Sequence, residues 1–265
     1  MPTTYAHDLF GQKIYRQMPD EVKKIIRRNG ELYRIGLHGP DIFFYYFIFQ
    51  NHVSRVGYRM HKEKACAFFV QGMEQVRETG DETLLAYLLG FGCHYLLDSS
   101  CHPFVNEMND KGIISHSLLE IEFDRYLMEE NGKNPYSFYP SDCIKAKKKN
   151  AEEIHKVFPL VRKGDILLSL KLMKFMTNQL VCDDGGARRA RLSRISSLGG
   201  RKAQSVLIDH YMMAQPAGGS REPVEKLNAL FEKAVEEAPA ELLELYQLSK
   251  ENKPLSARWN LTYNG

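Results

Sequence analysis

Two pairs of residues with metal-binding side chains stand four positions apart in the middle of the chain. His94 pairs with Asp98, and His116 pairs with Glu120. Residues four apart lie on the same face of a helix, so each pair would form a column along one helix. Both columns are set among Leu, Tyr, Phe and Ile, where an isolated charge costs on the order of several kcal/mol. Because imidazole and carboxylate are ligands that zinc accepts, the pattern predicts a multinuclear metal site shared between two helices.

His102 extends the first column, since it follows Asp98 by four residues. It also precedes Pro103, and a proline pushes the residue before it out of the helical region. We therefore expect the helix to end near His102, which could still serve as a ligand from that position.

Further candidate ligands lie upstream. Asp41 follows Pro40 in a turn, and the proline fixes the backbone just before the carboxylate. His61 falls in the first turn of an amphipathic helix that the apolar spacing predicts over residues 57–80. His52 is the alternative to His61, and the residues around His61 favour His61.

The chain as a whole indicates an all-α protein. Helical start and stop signals recur along it, and no segment shows the alternation that is typical of strands. With 265 residues, 43% apolar and 26% charged, it is long enough for a full core. No linker or internal repeat stands out, so we predict one compact multi-helix domain over residues 1–265. The net charge of only +3 says little about partners.

The compartment can be predicted from the amino terminus and the cysteines. No basic region followed by an apolar run is present, and five cysteines without regular spacing argue against a disulfide framework. We expect a cytoplasmic protein without a transmembrane segment. The most apolar stretch, Ile42 to Phe49, is too short to cross a bilayer, which takes roughly 20 residues. It is either a core helix or, if it proves exposed, a lipid-facing surface.

Five short segments, in this order, resemble the zinc-dependent phospholipase C family, which shares its fold with fungal single-strand-specific nucleases. The segments are His7-Asp8-Leu9-Phe10-Gly11, Gly39-Pro40-Asp41-Ile42-Phe43-Phe44, Gly57-Tyr58-Arg59-Met60-His61, His94-Tyr95-Leu96-Leu97-Asp98 and His116-Ser117-Leu118-Leu119-Glu120. The resemblance implies a compact helical fold around two or three zinc ions and the hydrolysis of phosphodiesters.

The resemblance also implies a role for each ligand. One zinc would be held by Asp41, His61, His94 and Asp98; a second by His102, His116 and Glu120; and a third by His7, the bridging Asp98 and the amino terminus. The secreted enzymes supply that terminus from a tryptophan exposed by signal cleavage, whereas this chain begins Met1-Pro2. Either a processed Pro2 replaces the tryptophan, or the third ion is absent. A second departure is that His102 lies four residues beyond Asp98, where the secreted phospholipases have six.

The predicted activity is phospholipase C-like hydrolysis. A hydroxide that bridges two zinc ions, or one that is held by a single zinc and oriented by Asp41 as base, would attack the phosphorus of a diester. A phospholipid is favoured as substrate over a nucleic acid or a small soluble diester. A nucleic acid would need aromatic platforms beside basic residues, which Tyr136, Phe138 and Tyr139 near the lysines at 145–149 could supply. The alternative from another class is a helical protein that binds zinc without turnover. No protein partner is indicated.

Overall fold

The described part of the chain is built from helices. The computed structural model describes residues 4–47, 50–135, 137–181, 183, 185–197, 210–213 and 215–265, and no β-strand occurs within them. The all-α class is confirmed. In chain order the α-helices are α1 (Thr4–Gln17), α2 (Asp20–Arg28), α3 (Gly30–Gly36), α4 (Ser54–Met60), α5 (Cys66–Thr79), α6 (Glu82–Asp110), α7 (His116–Glu130), α8 (Lys148–His155), α9 (Lys163–Leu180), α10 (Ala187–Ser197) and α11 (Arg221–Leu248), with 3-10 helices at Gly39–Tyr45, Pro140–Cys143 and Ala257–Asn260.

Helix α6 is the centre of the fold. Every residue from Leu84 to Ser99 is buried, as expected for a helix that is apolar on all sides. Helices α1, α3, α5, α7 and α11 all pack against it. Asp81 caps its first turn, as the sequence predicts, by accepting hydrogen bonds from the backbone N–H groups of Thr83 and Leu84, both at 3.0 Å. The polar side chains of α6 are therefore carried into the interior.

Pro103 does not end α6, so the expected helix end at His102 is wrong. The helix continues to Asp110 with the proline inside it. A proline in a helix removes one hydrogen bond at a cost of about 3 kcal/mol, and burial of the apolar residues on both sides can offset that amount. His102 consequently lies within the helix, one turn beyond Asp98.

Two glycines let α3 and α6 approach at the level of the backbone. A Cβ at Gly36 would overlap the carbonyl oxygen of Tyr87, and one at Gly90 would overlap that of Tyr33. The contact places α3, and the 3-10 helix that follows it, directly against α6. The contact explains why Gly90 stands in the middle of a long helix, where glycine costs about 1 kcal/mol relative to alanine.

The amphipathic helix predicted over residues 57–80 is wrong in its extent, because the segment forms two helices. Helix α4 ends at Met60, and α5 begins at Cys66. The break is held in part by Ala65, whose backbone N–H donates to the carbonyl of Leu261 at 3.2 Å. His61 therefore follows the end of α4 instead of lying in a first turn.

The aromatic stretch after Pro40 is part core and part surface. Phe43 and Tyr45 are fully buried, but they belong to a 3-10 helix and not to the α-helix that was predicted. Phe47 is 54% exposed, and its φ of 61° is unusual for a residue other than glycine. Ile48, Phe49 and Tyr136 lie outside the described residues.

The segment from Ser256 to Gly265 packs back onto α6. Trp259 is buried and stacks on the ring of Tyr95, with the ring centroids 5.2 Å apart. One cluster of buried side chains extends from Tyr5 to Tyr263. A single domain over residues 1–265 stays a prediction. Within the described ranges, no helix combines the length and apolar character needed to span a bilayer.

We expect Gly90→Ala to destabilise the zinc-free chain by about 2–3 kcal/mol, because the new methyl group must push α3 away from α6. Equilibrium unfolding in urea, followed by circular dichroism, measures the change. Gly164→Ala is the matched control: Gly164 lies in α9 with nothing within 4 Å of an added Cβ, so the same substitution should be neutral or stabilise by up to about 1 kcal/mol. Equal effects at the two positions would contradict the backbone contact.

Candidate metal centre

Asp98 is the buried carboxylate on which four imidazoles converge. Its Oδ1 lies 3.2 Å from Nε2 of His7 and 3.5 Å from Nε2 of His102. Its Oδ2 lies 3.1 Å from Nε2 of His94 and 3.6 Å from Nε2 of His61. The two oxygens thus face different pairs of histidines, as a carboxylate shared between metal ions would.

A first group of ligand atoms forms around Asp41. Its Oδ1 lies 3.1 Å from Nε2 of His61 and 4.0 Å from Nε2 of His94. Pro40 is at the start of the 3-10 helix that carries the carboxylate inward. Gly39 has a φ of 46°, and a Cβ at this position would overlap the ring of His94. The loop and α6 are therefore fitted to each other at this point.

A second group joins α6 to α7. Oε1 of Glu120 lies 3.4 Å from Nε2 of His102 and 3.1 Å from Nε2 of His116. Helix α7 begins at His116 and is capped by Ser115, whose Oγ accepts a hydrogen bond from the N–H of Leu118 at 3.3 Å. The cap fixes His116 at the first position of the helix, one turn before Glu120.

A third group consists of His7, His94 and Asp98. The rings of His7 and His94 stack with centroids 4.3 Å apart. The first turn of α1, which carries His7, is held by Asp124, whose buried carboxylate accepts hydrogen bonds from the N–H groups of Tyr5 at 3.0 Å and Ala6 at 2.8 Å. Met1-Pro2 lies outside the described residues, so a ligand from the amino terminus stays a prediction.

The structure brings together all eight side chains that the sequence singles out. In each group the ligand atoms lie within 4.8 Å of one another. The groups are adjacent, since His94 belongs to two of them and Asp98 contacts residues of all three. Whether each side chain binds an ion stays a prediction.

Three of the histidines are held so that Nε2 points into the centre. Their Nδ1 atoms face oxygens that can only accept: the carbonyl of Gly57 lies 2.8 Å from Nδ1 of His61, the carbonyl of Tyr263 lies 3.1 Å from that of His102, and Oδ1 of Asn106 lies 3.1 Å from that of His116. Nδ1 must therefore carry the hydrogen, which leaves a lone pair on Nε2 of the neutral ring.

Those lone pairs face carboxylate oxygens, so a cation is needed between them. Oδ1 of Asp41, Oδ2 of Asp98 and both ring nitrogens of His94 are buried and have no hydrogen-bond partner among the described residues. Several of these atoms are close enough to hydrogen-bond but are not aligned to do so. A buried polar atom left without a partner costs about 1–3 kcal/mol, so four of them in one place call for an explanation. Nitrogen and oxygen donors arranged around a common point fit zinc.

The charges of the centre keep its carboxylates ionised. Burial acts to raise the pKa of Asp41, but the neighbouring His61 and His94 outweigh it and lower that pKa to about 2. Burial acts to lower the pKa of His61, but contact with Asp41 and Asp98 raises it to about 10. In the metal-free chain at neutral pH, a proton on His61 thus takes the place that a metal ion would fill.

Four histidines lie outside the centre, and the sequence makes two of them, His52 and His38, candidates for a ligand or a substrate-positioning residue. Nε2 of His52 is 3.6 Å from Oδ2 of Asp165, so His61 and not His52 is the histidine placed beside Asp41. Nε2 of His38 is buried and shares a hydrogen bond of 3.5 Å with Sγ of Cys143.

Sequence reasoning missed the residues that hold the ligands in place: Asp124, Asn106, Tyr263 and the carbonyl of Gly57. Only the two aromatic residues in an otherwise polar tail, Trp259 and Tyr263, gave a signal that could have directed attention to that segment.

We expect Asp98→Asn to lower zinc affinity by more than roughly 100-fold, since changes around a metal site that spare its ligands already cost about 10- to 100-fold. The amide keeps the size of the side chain but loses the charge and one of the two acceptor oxygens. Elemental analysis and competition with a chelator measure the loss. Asp110→Asn, at the exposed end of the same helix, is the control and should bind as the unaltered chain does. Full metal content in Asp98→Asn would refute the shared carboxylate.

We expect zinc uptake at pH 7 to release protons, including the one on His61, whose pKa is raised to about 10. Because that pKa lies above the working pH, this proton competes with the metal, and the apparent affinity should rise by about tenfold per pH unit between pH 7 and 9. Calorimetry in buffers of different ionisation enthalpy counts the protons. His52→Ala should leave the count unchanged. An affinity that does not vary with pH would contradict this electrostatic account.

Comparison with known proteins agrees with the geometry. The profile of a family described as zinc dependent phospholipase C matches residues 6–163. Neither a search of curated proteins nor a search of solved structures finds a match to the chain. The matched range is more than half of the chain and contains all eight ligand candidates, from His7 to Glu120. The chain therefore belongs to the zinc-dependent phospholipase C family.

Proposed function

We propose that this chain is a zinc-dependent phosphodiester hydrolase that acts on phospholipids in the manner of a phospholipase C. The observation that carries the proposal is the position of Asp98, whose two oxygens face four histidines from α1, α6 and the end of α4. A shared carboxylate of this kind is suited to hold metal ions close enough to act on one phosphoryl group. The family match supports the same class of reaction.

The residues fall into the sets that two or three ions would need. Asp41, His61, His94 and Asp98 would hold one zinc; His102, His116 and Glu120 a second; and His7 with Asp98 a third. When bound, zinc lowers the pKa of water and draws negative charge from the nonbridging oxygens of a phosphoryl group.

Asp41 is suited to orient the attacking water and to accept its proton. Its pKa is held at about 2, so the carboxylate is ionised at neutral pH. The 3-10 helix and its packing against α6 fix the position of the side chain. General-base assistance of this kind contributes about 10²- to 10⁴-fold to a rate.

The surface next to the centre supports a phospholipid as substrate. The ring of Phe44 lies 5.1 Å from that of His61 and 4.6 Å from that of Tyr58, so an aromatic path leads from the centre to the surface. Tyr58 is exposed on the outer face of α4, as is the neighbouring Arg59, and Phe47 is exposed after the 3-10 helix. Exposed aromatic rings next to the centre are a surface that a lipid layer would meet. Arg59 does not add a free positive charge there, because its Nε lies 3.4 Å from Oε1 of Glu63.

A nucleic acid is less well supported as substrate. The proposed aromatic platform includes Phe138, but its ring packs edge-on against Tyr5 with centroids 5.3 Å apart, and Lys147 forms an ion pair with Glu31.

A zinc-binding role without turnover is favoured by one observation, the deep burial of His94 and Asp98. His116 and His61, with side chains 28% and 15% exposed, offer the route by which substrate would enter.

We also propose a reducing compartment such as the cytoplasm. Among the described residues, four cysteines are free, and three of them are buried. Burial raises the pKa of the thiols of Cys93 and Cys143 to about 12, which keeps them protonated and unreactive.

We expect Asp41→Asn to lower kcat at saturating zinc by about 10²- to 10⁴-fold, because the water loses its proton acceptor. Metal content is measured in parallel, since Asp41 is also a proposed zinc ligand. Hydrolysis is followed with phosphatidylcholine vesicles, bis(p-nitrophenyl) phosphate and single-stranded DNA, each with and without a chelator. Asp142→Asn is the control, since Asp142 is exposed and pairs only with Lys174 among the described ion pairs.

The three substrates separate the candidate functions. Chelator-sensitive cleavage of the vesicles supports the phospholipase, and cleavage of DNA alone would transfer the proposal to a nuclease. A zinc-loaded chain that cleaves none of the three would overturn the hydrolase and favour a non-catalytic zinc protein.

A further inference from the structure

The segment from Ser256 to Gly265 reaches three of the ligand histidines, although it lies far along the chain from all of them. It also lies outside residues 6–163, the range that matches the family. Tyr263 is buried in this segment, between residues that are half-buried or exposed. Its surroundings are therefore a property of this chain that the family match does not cover.

The first contact is made by the backbone of Tyr263. Its carbonyl oxygen lies 3.1 Å from Nδ1 of His102, and both groups are buried. Because a carbonyl can only accept, the hydrogen of the imidazole is drawn to Nδ1, and the lone pair on Nε2 is left for a metal. Within the described residues, no other hydrogen bond to Nδ1 of His102 competes with it.

The second contact passes through Asn264 to two further histidines. Nδ2 of Asn264 donates to the carbonyl of His61 at 3.1 Å, and its Oδ1 accepts from Nδ2 of Asn106 at 3.3 Å. The Oδ1 of Asn106 in turn accepts from Nδ1 of His116 at 3.1 Å. The asparagine pair thus joins the backbone at His61 to the imidazole of His116.

The third contact is made by the ring of Tyr263, which covers the centre. Its centroid lies 5.1 Å from the ring of His61 and 5.9 Å from the ring of His94. The side chain is 1% exposed, so it shields one side of these imidazoles from water. Shielding of this kind strengthens the electrostatic interactions inside a site.

The segment is anchored before it reaches the centre. Nη2 of Arg258 donates to Oγ of Ser100 at 2.7 Å, and the hydroxyl of Tyr95 donates to the carbonyl of Arg258 at 2.6 Å. The carbonyl of Leu261 accepts from the N–H of Ala65 at 3.2 Å. These contacts fix Tyr263 through α6 and the start of α5, independently of the histidines.

We propose that Tyr263 and Asn264 are positioning residues of the metal centre, which set His102 and His116 to bind zinc through Nε2. The inference rests on the zinc binding in the proposed function, but not on catalysis. It is therefore tested by metal affinity and by the state of the histidine rings. A chain that binds zinc and hydrolyses nothing would overturn the proposed function and leave this inference intact.

The first test compares two asparagines of the same segment. Asn264→Ala removes the contacts with His61 and Asn106, and zinc affinity, measured by chelator competition, should fall by about tenfold. Asn260→Ala makes the same change at an exposed position four residues earlier and should bind as the unaltered chain does. A chain ending at Thr262 also loses the carbonyl that faces His102, and its affinity should fall by about 10- to 100-fold. Unaltered affinity in both shortened and substituted chains would overturn the proposal.

Rescue by a conservative change separates positioning from simple destabilisation. Asn106→Ala should weaken zinc binding. Asn106→Asp keeps the oxygen that accepts from Nδ1 of His116 but loses the amide that donates to Asn264, so it should recover only part of the affinity. Equal losses of zinc affinity in the two variants would contradict the claim that the oxygen of Asn106 sets the ring of His116.

The second test needs no variant and applies even if the shortened chain does not fold. In the zinc-loaded, ¹⁵N-labelled full chain, the ring nitrogen resonances of histidine report which nitrogen carries hydrogen and which carries metal. We expect His102 and His116 to carry hydrogen on Nδ1 and zinc on Nε2. Coordination through Nδ1 of His102 would exclude the role assigned to the carbonyl of Tyr263.

Discussion

The structure depends on one buried negative charge, the carboxylate of Asp98, and on the imidazoles that surround it. Such a charge is tolerated in an apolar interior only if positive or ligating groups meet it. Three elements supply them: α1 brings His7, the end of α4 brings His61, and α6 itself brings His94 and His102 on either side. The helices are thus held together by apolar packing along their faces and by the polar side chains that meet around Asp98.

Small residues allow the elements to come close enough to share that centre. Gly36 and Gly90 bring α3 against the backbone of α6, and the 3-10 helix that follows α3 then delivers Asp41. Gly39 leaves the space that the ring of His94 fills. A methyl group at any of these positions would push the ligand side chains apart. Metal–ligand distances are fixed to within about 0.2 Å, so the side chains could then no longer bind one ion together.

The sequence predicted those parts of the centre that depend on local spacing. The separation of four residues in His94 and Asp98, and in His116 and Glu120, placed each pair on one helix face. The end of α6 at His102 was predicted wrongly, because the bias that Pro103 imposes is weaker than the packing around a buried helix. The break between α4 and α5 was missed for a similar reason: part of what holds it is a contact between Ala65 and Leu261. Local patterns carry no information about partners that are nearly two hundred residues away.

The bond between His102 and the carbonyl of Tyr263 joins positions that are 161 residues apart. Closing so long a loop costs entropy, and the packing of the helices in between offsets that cost. The polar centre is therefore complete only when the two ends of this loop are together. Full metal affinity would then require the segment from Ser256 to Gly265 in place, and a chain in which that segment is displaced would bind metal less tightly.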